Sequence, residues 1–235
     1  QSPNFPTNRL YNAEESLNTE IGYYLSNNNI SFKSSMFYMH RGNPQLRLFI
    51  QDDDYPTAFD YATFNGSTSY TYGFESNISY EFSSIFTFNS SINLLKNHLG
   101  VFYFDESDKI YGNRSGAHSP KLSLFLGTNI NITSSISLNL DANYKDKFYF
   151  DEQNNHKSNS HTLFNSSLIY KINRFSLSIW GKNLTNEKYA IRGYSFVLVP
   201  STTTDYDLEN EGNNKSDYRS YGPSRSIGIS LDYKL

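Results

Sequence analysis

Apolar and polar residues alternate one for one along most of this chain. From Leu122 onward, Leu124, Leu126, Thr128, Ile130 and Ile132 share a side, with Ser123, Phe125, Gly127, Asn129 and Asn131 on the other. After Thr133-Ser134-Ser135 the pattern restarts, with Ile136, Leu138, Leu140, Ala142 and Tyr144 set against Ser137, Asn139, Asp141, Asn143 and Lys145. Tyr70, Tyr72, Phe74, Ile78, Tyr80 and Phe82 alternate in the same way with Thr71, Gly73, Glu75, Asn77, Ser79 and Glu81. The last such stretch sets Ile227, Ile229, Leu231, Tyr233 and Leu235 against Ser226, Gly228, Ser230, Asp232 and Lys234. A helix would scatter these side chains around its circumference, whereas an extended strand sorts them onto two faces.

The alternation predicts about nine strands, near 16–26, 29–42, 68–82, 85–97, 120–132, 135–147, 160–172, 174–185 and 224–235. Gln45–Ile50 and Ala58–Asn65 would extend their neighbours as a raised hairpin. Connections alternate in length. Short turns fall at Asn27-Asn28, Ser83-Ser84, Thr133–Ser135 and Asn173, and long polar loops at 43–67, 98–119, 148–159 and 186–223. Short turns at one end and long loops at the other are the asymmetry of an antiparallel transmembrane β-barrel. A soluble all-β domain or a β-solenoid is the competing architecture.

Composition narrows the choice. Only 37% of residues are hydrophobic, yet aromatics reach 17%, with 20 Tyr and 18 Phe, and charged residues are 18%. That is too aromatic and too weakly charged for a disordered chain. The longest wholly apolar runs are only a few residues, for example Phe196-Val197-Leu198-Val199, far below the ~20 residues of a spanning helix, while a spanning strand needs only ~9–11. The polar face is largely Asn, Ser, Thr and Gly, with Tyr and Phe gathered towards strand ends. Such a face suits a wet or plugged lumen, and such aromatics suit interfacial girdles. A net charge of -3 excludes a nucleic-acid partner, and the lack of Cys excludes disulfides and thiolate metal sites. No leader with a basic segment followed by an apolar one is read in Gln1–Asn8.

Four segments carry a resemblance. Trp180-Gly181-Lys182-Asn183-Leu184-Thr185-Asn186-Glu187-Lys188-Tyr189 resembles the G-x-N-L-(T/F)-(N/D)-x-x-Y segment of TonB-dependent outer-membrane receptors. Tyr221-Gly222-Pro223-Ser224-Arg225, running into Ile227–Leu231, is similar to the family's final strand, with one residue between Pro223 and Arg225. Glu14 to Tyr23 resembles a mid-barrel strand entry, with Ala13 where the family usually has Pro, and Gly73-Phe74-Glu75 resembles the strand that follows. The family usually ends in Phe or Trp; Leu235 departs from that. Gly181, Asn183, Leu184, Tyr189, Gly222, Pro223 and Arg225 are read as structural residues of these motifs, Asn183 bonding nearby backbone and Tyr189 sitting at headgroup level.

The resemblance implies the C-terminal part of a 22-stranded barrel in the outer membrane of a Gram-negative bacterium, residues 1–235 forming a partial barrel domain without plug or TonB box. It implies active uptake of a scarce nutrient, an iron–siderophore complex foremost, energised by TonB acting through the plug. Outer-membrane lipid, the TonB complex and the ligand are the implied partners, and no cofactor or enzymatic activity is expected. The alternatives are a small standalone pore or adhesin, a non-functional remnant, or, as an enzyme, a phospholipase-type barrel.

Candidate ligand contacts lie in loop 186–223, where Arg192, Tyr194, Phe196, Tyr206, Tyr218 and Arg219 mix rigid aromatic surface with guanidinium groups suited to anions. Arg192 and Arg219 are expected to touch an anionic ligand. The histidines His40, His98, His118, His156 and His161 lack metal-ligand spacing, and the acidic runs Asp52–Asp54 and Asp205 to Glu211 lack a calcium-loop pattern. No metal site is expected.

Overall fold

A computed structural model describes residues 11–51, 59–104, 109–196 and 216–234. Tyr206, Leu235, Gln1–Asn8 and the two acidic runs lie outside the described residues. Nine strands form one antiparallel sheet: β1 (Glu15–Ser26), β2 (Ile30–Gly42), β5 (Ser69–Glu81), β6 (Phe86–His98), β9 (Leu122–Asn131), β10 (Ile136–Lys145), β11 (His161–Ile172), β12 (Phe175–Lys182) and β15 (Ser226–Tyr233). They are neighbours in chain order, an up-and-down meander whose first and last strands do not pair. Every expected strand is present, with ends differing by a few residues.

Turn chemistry fixes the short end. The Asn27 side-chain oxygen accepts from the amides of Asn29 and Ile30, both at 3.0 Å. Ser83 Oγ accepts from Ile85 and Phe86, and Thr133 Oγ1 from Ser135 and Ile136. Asn173 takes the left-handed conformation, φ 51°, which a tight hairpin needs and Asn tolerates. Register follows, and with it the sorting of faces: Leu138 stands opposite Ile130 and Leu168, and Asn139 opposite Asn129 and Ser167.

The two faces are held differently. On the polar face Asn129 donates to Asn139 at 2.6 Å and Asn139 to Ser167 at 3.0 Å, spanning three strands. Asp141 accepts from Asn143 at 2.7 Å and from Asn165 at 2.6 Å, and Glu75 from Asn93 at 2.6 Å. The apolar face is left open: Ile229 is 70% exposed and Ile21 74%. Among the described residues, the buried apolar side chains all lie outside the nine-stranded sheet. A wall with an open apolar side and no core of its own is built for lipid.

Those buried residues belong to the long connections. The raised hairpin is a sheet of its own, β3 (Gln45–Gln51) paired with β4 (Phe59–Asn65). Two more hairpins, not expected from the alternation, are β7 (Phe102–Phe104) with β8 (Lys109–Tyr111), and β13 (Ala190–Phe196) with β14 (Ser216–Tyr221). The first pair is only three residues a strand, and a bulge between Ala190 and Arg192 breaks the alternation in the second. Leu46, Leu48, Leu99 and Phe102 form one buried cluster, and Phe148, Phe150 and Ala190 a second.

Candidate functional site

At the long-loop end the connections after β6 and β10 are tied together by side chains exchanged in both directions. Arg114 donates to the carbonyls of Asn154 at 2.6 Å and Asp151 at 2.9 Å, and to Asn155 Oδ1 at 3.0 Å. Glu152 returns the tie, Oε1 accepting from the Ala117 amide at 2.9 Å. Its other oxygen, Oε2, is buried without a hydrogen-bond partner, and burial pushes the carboxyl pKa upward. Tyr149 lies between two cations, Arg114 and Lys157, each 4.2 Å from its ring centre. A hydrogen bond from Lys157 is the main cause that lowers the Tyr149 pKa.

Hairpin β13–β14 docks on this unit. The Phe150 ring fills the space a side chain at Gly193 would take, and Phe148 meets Phe150 edge-on at 5.8 Å. His118, with φ 51°, lies 5.1 Å from Phe148; burial first, then the charge of Arg192, lowers its pKa. Arg192, Tyr194, His118, Phe150, Ile191 and Gly193 surround a hollow of about 380 Å³.

The expected ligand residues divide here. Arg192 pairs with Ser220 and Tyr194 with Tyr218, while Gly193 pairs with Arg219. Directly opposed residues share a face, so Arg192, Tyr194 and Tyr218 lie on one side of the hairpin and Arg219 on the other. One face therefore gathers three of the candidates and separates the two arginines. His118, Phe150, Arg114 and Tyr149 were not singled out as ligand contacts by the sequence. Only their aromatic and cationic character hinted at them, because their positions depend on contacts between separate loops.

The motif residues form a knot where β12 leaves the sheet. Asn183 is 4% exposed, with φ 49°; its side chain donates to the carbonyls of Glu187 at 2.9 Å and Pro223 at 3.1 Å and accepts from the Glu187 amide at 2.8 Å. Its own amide donates to Asn165 Oδ1 at 2.9 Å. Leu184 covers Gly181, and the Arg225 amide donates to Asn186 Oδ1 at 2.9 Å. Tyr189 packs beside this knot. Its ring covers Gly222 and stacks on His161 at 4.6 Å, and His161 shares the polar face with Lys145, its register partner. Tyr189, His161, Lys145, Asn143, Asn93 and Phe125 border a second hollow of about 420 Å³ along the polar wall.

Comparisons with known proteins agree with this architecture. The family model described as TonB dependent receptor-like, beta-barrel matches residues 1–184; the final strand lies beyond that match. By shape the chain is similar to the ferric yersiniabactin uptake receptor FyuA from Yersinia pestis, with a TM-score of 0.71, 19% identity and 97% of this chain covered. It is also similar to the siderophore receptor PiuA from Acinetobacter baumannii, with a TM-score of 0.65, 19% identity and 94% coverage. The copper transporter OprC gives a TM-score of 0.70 at 12% identity, again over 94% of this chain. The chain spans 32%, 28% and 32% of these three structures, respectively. No curated protein matches it by sequence. With the family model matching most of the chain and the nine-stranded wall matching solved receptor barrels, this chain belongs to the TonB-dependent receptor β-barrel family.

Proposed function

We propose that residues 1–235 are the C-terminal barrel portion of a Gram-negative outer-membrane receptor that takes up an iron–siderophore complex, energised through TonB. The observation that carries this reading is a polar-faced, open-edged barrel wall crowned on its long-loop side by tied aromatic and cationic elements. The neighbours named as siderophore receptors support the ligand class.

The open edges favour a larger barrel over a small standalone pore or adhesin. In a nine-stranded meander the first and last strands run the same way, so β1 and β15 cannot close antiparallel. Their unpaired amides and carbonyls would cost several kcal/mol each in hydrocarbon. Further strands, up to a total of about 22 in the family's plugged barrels, would satisfy them. A plug domain and TonB box would then belong to the same receptor outside residues 1–235. Arg192, Tyr194 and Tyr218 are the assigned ligand contacts, with His118 and Phe150 shaping the hollow beside them.

The test is uptake by cells with the encoding gene intact or deleted, in strains with and without TonB. The reading expects loss of growth on one ferric siderophore in either deletion, and a native product several times the mass of this chain. Unchanged uptake in both deletions, or a stable membrane species of 27.1 kDa, would contradict it.

A further inference from the structure

The apolar face carries a charged and aromatic patch at its long-loop end. Across β2, β5 and β6 the register stacks three rows. His40, Tyr70 and His98 form the outermost; Tyr38, Tyr72 and Lys96 the next; Met36, Phe74 and Leu94 the third. β1 adds Leu17, Thr19 and Ile21 beside these rows in turn. Polar and cationic groups thus give way to a wholly apolar row within one register step, about 7 Å along the strands.

The rings are ordered. Tyr70 stacks on His98 with centres 4.8 Å apart and lies 6.2 Å from Tyr72, their planes 9° apart. The Lys96 ammonium sits 5.6 Å from the Tyr72 ring centre. Lys96, His40, Tyr38 and Tyr72 are exposed. None of this serves the polar wall, whose residues at the same height, Thr71 and Asn97, bond each other at 2.8 Å on the opposite face. On the described part of this face of β1, β2, β5 and β6, the carboxylate is Glu15, which pairs with Gly42, one row beyond His40. The Lys96 ammonium therefore lies between it and the apolar belt.

A lysine on a lipid-facing wall is costly unless it stands at the interface, where anionic headgroups attract it. We propose that His40, Tyr72, Lys96 and His98 bind the phosphate of an outer-leaflet lipid headgroup, its acyl chains lying along Met36, Phe74 and Leu94. The assignment rests on the long-loop end facing outward. A lipid fits better than free phosphate because the lysine-bearing row adjoins the apolar one, so headgroup and chains are met together.

The test uses the complete receptor, purified from membranes in detergent and titrated with short-chain phosphatidic acid, phosphatidylcholine and inorganic phosphate, with bound species read by native mass spectrometry. Phosphatidic acid should bind in preference to phosphatidylcholine, and inorganic phosphate should not displace it. Lys96→Gln should weaken phosphatidic acid binding about fivefold, the factor for one interfacial charge, while Lys96→Arg retains it. Equal binding by Lys96→Gln, equal binding of the two lipids, or displacement by inorganic phosphate overturns the proposal. Siderophore uptake is measured on the same variants. Uptake intact with lipid binding unselective sinks the lipid site alone, and uptake absent from the unaltered receptor sinks the transport reading alone.

Discussion

The Trp180 indole closes over Gly228, and its Nε1 donates to Ser230 Oγ at 3.1 Å on the same strand. The two residues are direct register partners between β12 and β15, so the ring occupies the polar face where a side chain at 228 would stand. Phe37 covers Gly73 across β2 and β5 in the same way. An aromatic ring laid over a strand glycine shields its backbone and pins the register.

Gly228→Val should therefore push the indole out of its place and destabilise the last strand pair by about 1–3 kcal/mol, the usual cost of overpacking. Denaturant unfolding of the receptor in vesicles checks this. A paired Trp180→Ala change should recover part of the loss, since it removes the collision.

Asn183 combines a buried side chain, three side-chain hydrogen bonds and a left-handed backbone. Asn183→Ala loses the bonds and strains the backbone, whereas Asn183→Gly loses the bonds alone. Both should destabilise by about 1–3 kcal/mol through unpaired backbone groups, with Ala the worse by about 1 kcal/mol. Protease sensitivity of the connection between β12 and β15 is the readout, and equal effects of Ala and Gly would deny the backbone contribution.

Two rim carboxyls should respond to acid in opposite senses. The carboxyl of Glu152 titrates above its ordinary value because burial penalises its charge more than the Ala117 amide relieves it, so the closed loop is favoured while the carboxyl is protonated and opens more readily as pH rises through that raised value. The carboxyl of Glu14 titrates below its ordinary value, chiefly through the Gln45 amide at 2.8 Å and then the Arg41 pair, so its contribution is present near neutrality and lost as pH falls. Amide exchange at Ala117 and Gln45, followed from about pH 4 to about pH 8 and corrected for intrinsic rates, should show protection moving in opposite directions. Glu152→Gln should abolish the trend at Ala117.

The two arginines of the outer hairpin should separate in function. Arg192 borders the hollow with Tyr194 and His118, and Arg219 lies on the other face. Arg192→Ala should weaken binding of an anionic ferric siderophore about tenfold, as the loss of a charge-assisted contact of roughly 1.5 kcal/mol implies. Arg219→Ala should leave it within a factor of about two. Equilibrium binding to the intact receptor decides, and equal losses would return both arginines to one ligand.

The nine-stranded wall was legible because a half-wetted strand writes its burial into every second residue, and Asn27, Ser83, Thr133 and Asn173 mark the turns locally. The rim was not legible in the same way. Phe150 on Gly193, Arg114 on the carbonyls of Asp151 and Asn154, and Glu152 on Ala117 each join separate loops, and no local period records such pairings. Arg192 and Arg219 read as one group because both are cations of one long loop, and the hairpin pairing that sets them on opposite faces joins residues far apart in sequence. The contacts of Tyr189 were not legible either, because they are made with Gly222 and His161, both distant in sequence.

On this architecture the polar face of the sheet lines water and the apolar face meets lipid. Single-cysteine labelling along β10 tests it most directly, in a chain with no cysteine of its own. In the membrane-embedded receptor, labels at Leu138, Leu140 and Ala142 should be quenched by lipid-soluble agents, and labels at Asn139, Asp141 and Asn143 by water-soluble ones. Strict alternation in that phase is the predicted result; uniform access to water at all six positions, or the reverse phase, would contradict it.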